Sequence, residues 1–288
     1  MSGTDIASLT LMLGNASSLL CGAVLLLGLS CSSMLESTTP VEPLPQTNAN
    51  SAHQSSSTAQ VNLQHLLPGT GELRQLEVPG FDSAVLFVPA GSETRPLIVG
   101  AHGAGGTPEW ECEYWRRLTN DRVFVLSLRG TPVGSYPGYF YRDHRALEKE
   151  LIAAERAARA AEPRILQGAG LYVGFSQGAS MGSAMIGAHG EAFPYLVLVE
   201  GFELWNVARA RAFAQNGGKR ILIACGSKEC AKVGEASVRW LTKANVEARL
   251  EYAPGEGHTP MGGVLSRIHA SLPWLLSDAP TWALTSGE

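Results

Sequence analysis

The sequence predicts one α/β domain: a doubly wound, mostly parallel sheet of about seven or eight strands with helices on both faces. Three observations carry this. From about Val61 onward, short continuous apolar runs alternate with amphipathic stretches of helical period, as strands buried on both faces require. Several of those runs stop in Gly-rich turns, where a parallel strand hands over to a helix. The chain has 288 residues, 45% of them hydrophobic, enough to fill one large core.

The elements follow in order. "RQLEVPG" and "SAVLFVPAG" read as an opening antiparallel hairpin, and "RPLIVGAHGAGG" as a strand ending in a Gly-rich loop. "PEWECEYWRRLTN" suits a helix and "RVFVLSLRG" a strand; "HRALEKELIAAERAARAAEP" is a long amphipathic helix with Pro163 just past its end. "GLYVGFSQG" is the next strand, running into a helix of small residues, "GASMGSAMIGAHG". "PYLVLVEG", "KRILIACG" and "EARLEYAPG" are later strands, separated by the helices "LWNVARARAFAQ" and "GEASVRWLTKA". "VLSRIHASLPWLL" closes the domain. Between Gly201 and Lys219 there is room for one helix and its turns, so no large lid domain is expected. No internal repeat stands out.

The strongest chemical signal is Gly174-Phe175-Ser176-Gln177-Gly178, a G-x-S-x-G pattern at a strand-to-helix junction. Such a turn is so sharp that glycine is needed on either side. It lifts the Ser hydroxyl clear of the sheet and aims the N–H groups of the next helix at developing negative charge. A Ser hydroxyl is a poor nucleophile without a base. Of seven His residues, His258 lies in "APGEGHTP", a Gly-rich loop directly after the last strand, and is the expected base. His53 and His65 precede the first strand; His144, His189 and His269 fall at or within helices, where packed or solvated roles suffice.

The base needs a carboxylate to fix its tautomer. Glu229, three residues past Gly226 at the end of "RILIAC", is the expected acid; Glu200, one strand earlier, is the alternative and Glu235 a distant third. Preorganised donors for the carbonyl oxygen are expected from the backbone N–H groups of Ala104, in "HGAGG", and Gln177. His102 is read as structural. The same Gly-rich loop lacks a P-loop Lys and any G-x-G-x-x-G, so nucleotide binding is a poor fit.

From about Leu73 to Leu276 the chain resembles a serine α/β-hydrolase. "GFSQGA" is similar to the elbow of the carboxylesterase, lysophospholipase and acyl-protein thioesterase branch, typically G-F-S-Q-G-G, with Ala179 replacing the last Gly. "VFVLSLRGTP" resembles the strand and loop that those enzymes and the dienelactone-hydrolase relatives carry before the elbow, although dienelactone hydrolase has Cys where this chain has Ser176. The resemblance implies an α/β-hydrolase fold, hydrolysis through an acyl-enzyme and no cofactor or metal, with a small-molecule ester as the expected substrate. A peptidase or amidase on the same fold is the alternative enzyme, and a catalytically silent surface-binding protein the non-enzyme one. The loop after "VFVLSLRG" carries Tyr136, Tyr139, Phe140 and Tyr141, which are expected either to wall a substrate pocket or to pack the loop onto the domain.

The first 60 residues differ in character. Leu19 to Leu29 form an 11-residue apolar run, the length of a secretion-signal core rather than of a membrane span. Ser30 and Cys31 then resemble the lipobox of bacterial lipoproteins, which implies lipidation of Cys31; Gly28 and the lack of any Lys or Arg before the run depart from that pattern. Residues 1–31 are accordingly read as signal, 32–60 as a flexible Ser/Thr/Pro-rich tether and 61–288 as the catalytic domain. Export to a bacterial periplasm, as a membrane-anchored lipoprotein or secreted protein, is the expected location. Net charge is −4 and the first Lys or Arg is Arg74, so no basic stripe for nucleic acid appears.

Cys225 and Cys230 frame "CGSKEC". Two cysteines are too few for a structural zinc site, and the spacing is not that of a C-x-x-C redox pair. In an exported domain a disulfide is the expected outcome, bracing the segment that carries the acid, with Cys112 left over.

Overall fold

The computed structural model describes residues 71–201 and 205–282. The signal-like segment 1–31 with Cys31, and the tether 32–60, lie outside the described residues. Among the described residues no helix is long and apolar enough to cross a membrane.

Strands β1 (Gly71–Leu76) and β2 (Ala84–Pro89) form the expected antiparallel hairpin. Then come β3 (Leu97–Ala101), helix α1 (Pro108–Leu118) and β4 (Phe124–Ser127). A short hairpin, β5 (Thr131–Val133) with β6 (Tyr136–Phe140), leads to α2 (His144–Ala161), β7 (Leu171–Phe175) and α3 (Gln177–Met185). The chain continues through β8 (Tyr195–Val199), α4 (Val207–Gln215), β9 (Arg220–Cys225), α5 (Lys228–Lys243), β10 (Glu247–Tyr252) and α6 (Gly262–Leu275). The main sheet has eight strands in the order β1-β2-β4-β3-β7-β8-β9-β10. From β4 to β10 all neighbours are parallel, and β2 runs antiparallel to β4.

Alternation along each strand feeds two cores. On β8, Leu196 and Leu198 join the cluster beneath α2 to α5, while Tyr195, Val197 and Val199 join the one beneath α1 and α6. On β9, Ile221, Ile223 and Cys225 face the first cluster and Leu222 and Ala224 the second. Because both faces are covered, every residue of β3 and β8 is buried, which explains the unbroken apolar runs.

Several helix starts carry side-chain caps. Thr107 accepts from the Trp110 N–H ahead of Pro108, and Asp143 accepts from the N–H groups of Arg145 and Ala146. Ser227 likewise accepts from the Cys230 N–H at 3.2 Å. That cap starts α5 six residues before the helix expected at Gly234, and it moves Glu229 out of a loop and into the first helical turn. The hairpin β5–β6 was also not foreseen; Gly134 has φ of +48° and supplies the turn between its strands.

Candidate active site

Ser176 sits just past β7 with φ of +51°, in the left-handed region, and α3 starts at the next residue. Two glycines make this turn possible. A Cβ on Gly178 would lie 1.9 Å from the Ala101 carbonyl oxygen, and one on Gly174 would lie 2.6 Å from the Ala179 nitrogen. The helix is drawn down onto β3 as the Gly178 N–H donates to the His102 carbonyl (3.2 Å) and the Tyr172 hydroxyl to the Gly178 carbonyl (2.7 Å).

Ser176 has a counterpart on the next strand. Phe175 pairs with Val199 in the parallel ladder, so Ser176 and Glu200 each follow the last paired residue of its strand. Glu200 has φ of +52°. The Ser176 N–H donates to the Val199 carbonyl (2.8 Å), and the Glu200 N–H to the Ala224 carbonyl (2.9 Å).

His258 comes from the loop after β10 and lies between the two. Its Nε2 is 2.8 Å from Ser176 Oγ, and its Nδ1 is 3.1 Å from Glu200 Oε2. A carboxylate can only accept, so Nδ1–H donates to Glu200 and Nε2 is left to accept the Ser176 proton. The loop is fixed on several sides. Ala253 N–H donates to the Cys225 carbonyl (2.8 Å), Gly257 N–H to the Gly226 carbonyl (3.3 Å), and the Tyr114 hydroxyl to the Pro260 carbonyl (2.8 Å). The Phe175 ring lies 5.3 Å from the imidazole, and the His258 side chain keeps 42% of its surface exposed.

Glu200 is completely buried and fully engaged. Oε1 accepts from the N–H groups of Gly226 and Ser227, the latter at 2.9 Å, while Oε2 accepts from the Ser227 hydroxyl (2.6 Å) as well as from His258. The expected acid, Glu229, is instead exposed on α5, where its charge complements the helix N-terminus. The structure thus brings the alternative, Glu200, to His258 and leaves Glu229 out. Glu235, farther along α5, is also absent from the hydrogen bonds of this site.

The loop His102–Gly106 crosses directly in front of Ser176. A Cβ on Gly103 would lie 3.1 Å from the Ser176 Cβ. Among the described residues neither Ala104 N–H nor Gln177 N–H is spent in a backbone hydrogen bond. The hairpin holds this loop in place: Gly105 N–H donates to the Tyr139 carbonyl (2.8 Å) and Tyr139 N–H to the Gly106 carbonyl (2.9 Å). The Gln177 side chain holds the hairpin in turn, accepting from Tyr141 N–H (2.8 Å) and donating to the Tyr141 carbonyl (3.1 Å). His102 is buried, stacked 5.0 Å from the Tyr141 ring, with ring nitrogens facing the Gly103 and Arg129 carbonyls. Burial pushes its pKa down, against the two carbonyls, which favour the protonated ring.

The four aromatics divide. Tyr136 is exposed beside Gly105, and Tyr139 and Phe140 are half-buried. Tyr141 is 2% exposed and donates its hydroxyl to the Leu128 carbonyl (3.1 Å), so it belongs to the core and cannot wall a pocket. Trp110, which the sequence did not single out, is 41% exposed and lies 6.5 Å from Phe175.

Cys225 and Cys230 form a disulfide, and Cys112 is a buried free thiol. Glu200 and the two sulfurs lie within 4.8 Å of one another, but the sulfurs are bonded to each other and offer no thiolate to a metal.

No protein-family profile and no curated protein matches the sequence. Solved structures do match. TT1662 from Thermus thermophilus superposes with a TM-score of 0.57 at 16% identity over 72% of this chain and 98% of that one. The fluorophosphonate-binding serine hydrolase F of Staphylococcus aureus gives 0.55 at 12% identity, over 73% and 99%. An acylaminoacyl peptidase gives 0.54 at 12% identity over 73% of this chain, which spans only 41% of the peptidase. The sheet order, the strand-to-helix turn at Ser176 and these superpositions give the chain an α/β-hydrolase fold, with no large lid among the described residues.

Proposed function

We propose that this protein is a serine hydrolase that cleaves carboxylic esters through an acyl-enzyme. The observation that carries this is the continuous run Ser176 Oγ, His258 Nε2, His258 Nδ1, Glu200 Oε2, with separations of 2.8 and 3.1 Å. Ser176 attacks the carbonyl carbon as Nε2 takes its proton, and Glu200 stabilises the imidazolium that forms. The N–H groups of Ala104 and Gln177 face the oxyanion. His258 then gives the proton to the departing alcohol. Water repeats the cycle on the acyl-enzyme, releasing the acid and restoring Ser176. These steps call for no cofactor.

A fluorophosphonate probe tests the class. Covalent label on Ser176, lost in Ser176→Ala, is expected; no label under conditions where a known esterase reacts overturns the reading. A panel of p-nitrophenyl esters against peptide amides then tests the bond: esters are expected to turn over, and preference for amides would make the enzyme a peptidase.

The N-terminal pattern supports a second, separate proposal: export, with Cys31 lipidated and residues 32–60 spacing the enzyme from a membrane. Radioactive palmitate in a bacterial host is expected to label the parent and not Cys31→Ala; equal behaviour of the two would end the idea.

A further inference from the structure

Glu200 receives four hydrogen bonds, and three come from two consecutive residues, Gly226 and Ser227. Both residues lie inside the small ring that the Cys225–Cys230 disulfide closes between the end of β9 and the first turn of α5. The other side of that ring carries the His258 loop, through Ala253 N–H on the Cys225 carbonyl and Gly257 N–H on the Gly226 carbonyl. The contact is tight: a Cβ on Gly226 would lie 2.5 Å from the Gly257 carbonyl oxygen. Ser227 Oγ has two tasks, donating to Glu200 Oε2 and accepting the Cys230 N–H that starts α5. One cross-linked turn therefore fixes the acid from one side and the base loop from the other.

Resting on the proposed triad, we infer that the Cys225–Cys230 disulfide and Ser227 are positioning elements for Glu200, and that reducing the disulfide lowers turnover while leaving substrate binding intact. A dithiol supplies two electrons and two protons to the S–S bond, giving two thiols and a cyclic disulfide of the reagent. Released from the cross-link, the first turn of α5 is a helix terminus free to fray, and the N–H groups of Gly226 and Ser227 no longer meet the carboxylate in one fixed geometry. The ring is too short for its loss to unfold a domain with two extensive cores, so the effect falls on the site.

The test reduces the full-length enzyme with dithiothreitol. Alkylation and mass spectrometry verify that Cys225 and Cys230 are free, and circular dichroism verifies the fold. On a soluble ester, kcat is expected to fall about 5- to 20-fold with KM within about twofold, and to return on reoxidation. Cys225→Ala plus Cys230→Ala should reproduce the loss permanently. Ser227→Ala should also lower kcat, and Ser227→Thr, which keeps the hydroxyl, should restore most of it. A readout independent of turnover is the far-downfield proton resonance of His258 Nδ1–H in histidine-labelled protein, expected to broaden or shift on reduction. Verified reduction that leaves both kcat and this resonance unchanged, or a loss of kcat that merely follows loss of folded protein, overturns the inference. A parent enzyme without ester turnover whose resonance still responds would instead sink the esterase reading and keep the positioning one.

Discussion

Glu200 Oε2 lies 3.1 Å from His258 Nδ1, reaching the imidazole from the end of β8 and not from the strand after it. The acid expected from the sequence, Glu229, stands on α5 in solvent. The two carboxylates therefore make opposite predictions. Glu200→Gln keeps the shape and loses the charge that fixes the His258 tautomer, so kcat should fall about 10³- to 10⁴-fold. Glu229→Gln should leave kcat within about twofold. Steady-state kinetics on one ester decides between them, and the reverse ranking would reinstate Glu229.

The elbow is intolerant of a single methyl group. Gly178→Ala would set a Cβ 1.9 Å from the Ala101 carbonyl oxygen, a contact between backbone and backbone that no rotamer change relieves. Destabilisation of about 1–3 kcal/mol or more is expected, with activity lost alongside. Thermal melts of the variant check it.

Gln177 contributes more than its N–H. Truncating it to Ala leaves the helix start intact but strips the part-buried Tyr141 N–H and carbonyl of their partners, at a cost of about 1 kcal/mol for each. The hairpin then no longer pins Gly105 and Gly106, so kcat should fall more than stability alone explains. Comparison of kcat at temperatures well below the melt, for Gln177→Ala and the parent, separates the two effects.

Glu111 makes stability depend on pH. It is fully buried on α1, accepts from the Trp115 indole N–H (2.9 Å), and desolvation pushes its pKa up from 4.5 to about 7. The folded chain thus keeps this proton to a higher pH than the unfolded chain does. The contribution is fully present below about 4.5 and declines as pH rises, reaching a loss of about 3 kcal/mol above about 7. Glu111→Gln keeps an acceptor for the indole and removes the proton. Denaturant titrations at pH 5 and pH 8 should show the parent losing stability between them by about 2–3 kcal/mol more than the variant; equal pH dependence would rule this out.

Most of the sheet was legible because its strands are buried on both faces and so leave long apolar runs. The elbow was legible because its two glycines answer a steric demand visible in the residue names, and His258 because a Gly-rich loop follows the last strand. What escaped depends on features with no such mark. Glu229 is the expected acid by its place three residues past Gly226 at a strand end, but Ser227 caps a helix there and puts position 229 in its first turn. Tyr141 sits beside three aromatics that lie nearer the surface, and only its place behind His102 shows that it belongs to the core. Nothing in the names Ser or Glu announces a positive φ, yet Ser176 and Glu200 both adopt one.

That shared backbone geometry has a larger meaning. Ser176 and Glu200 are the same step taken on two adjacent parallel strands, each turning left just beyond the final rung and each tied by its own N–H to the strand beyond. The backbone positions of Ser176 and Glu200 are then set by two adjacent strands, which in a sheet run about 4.8 Å apart, and not by two independent loops. The sheet acts as a ruler on which Ser176 and Glu200 are marked. Only His258 is brought to that gauge from a loop, which the Gly257 N–H ties to the Gly226 carbonyl beside the Ser227 hydroxyl that donates to Glu200.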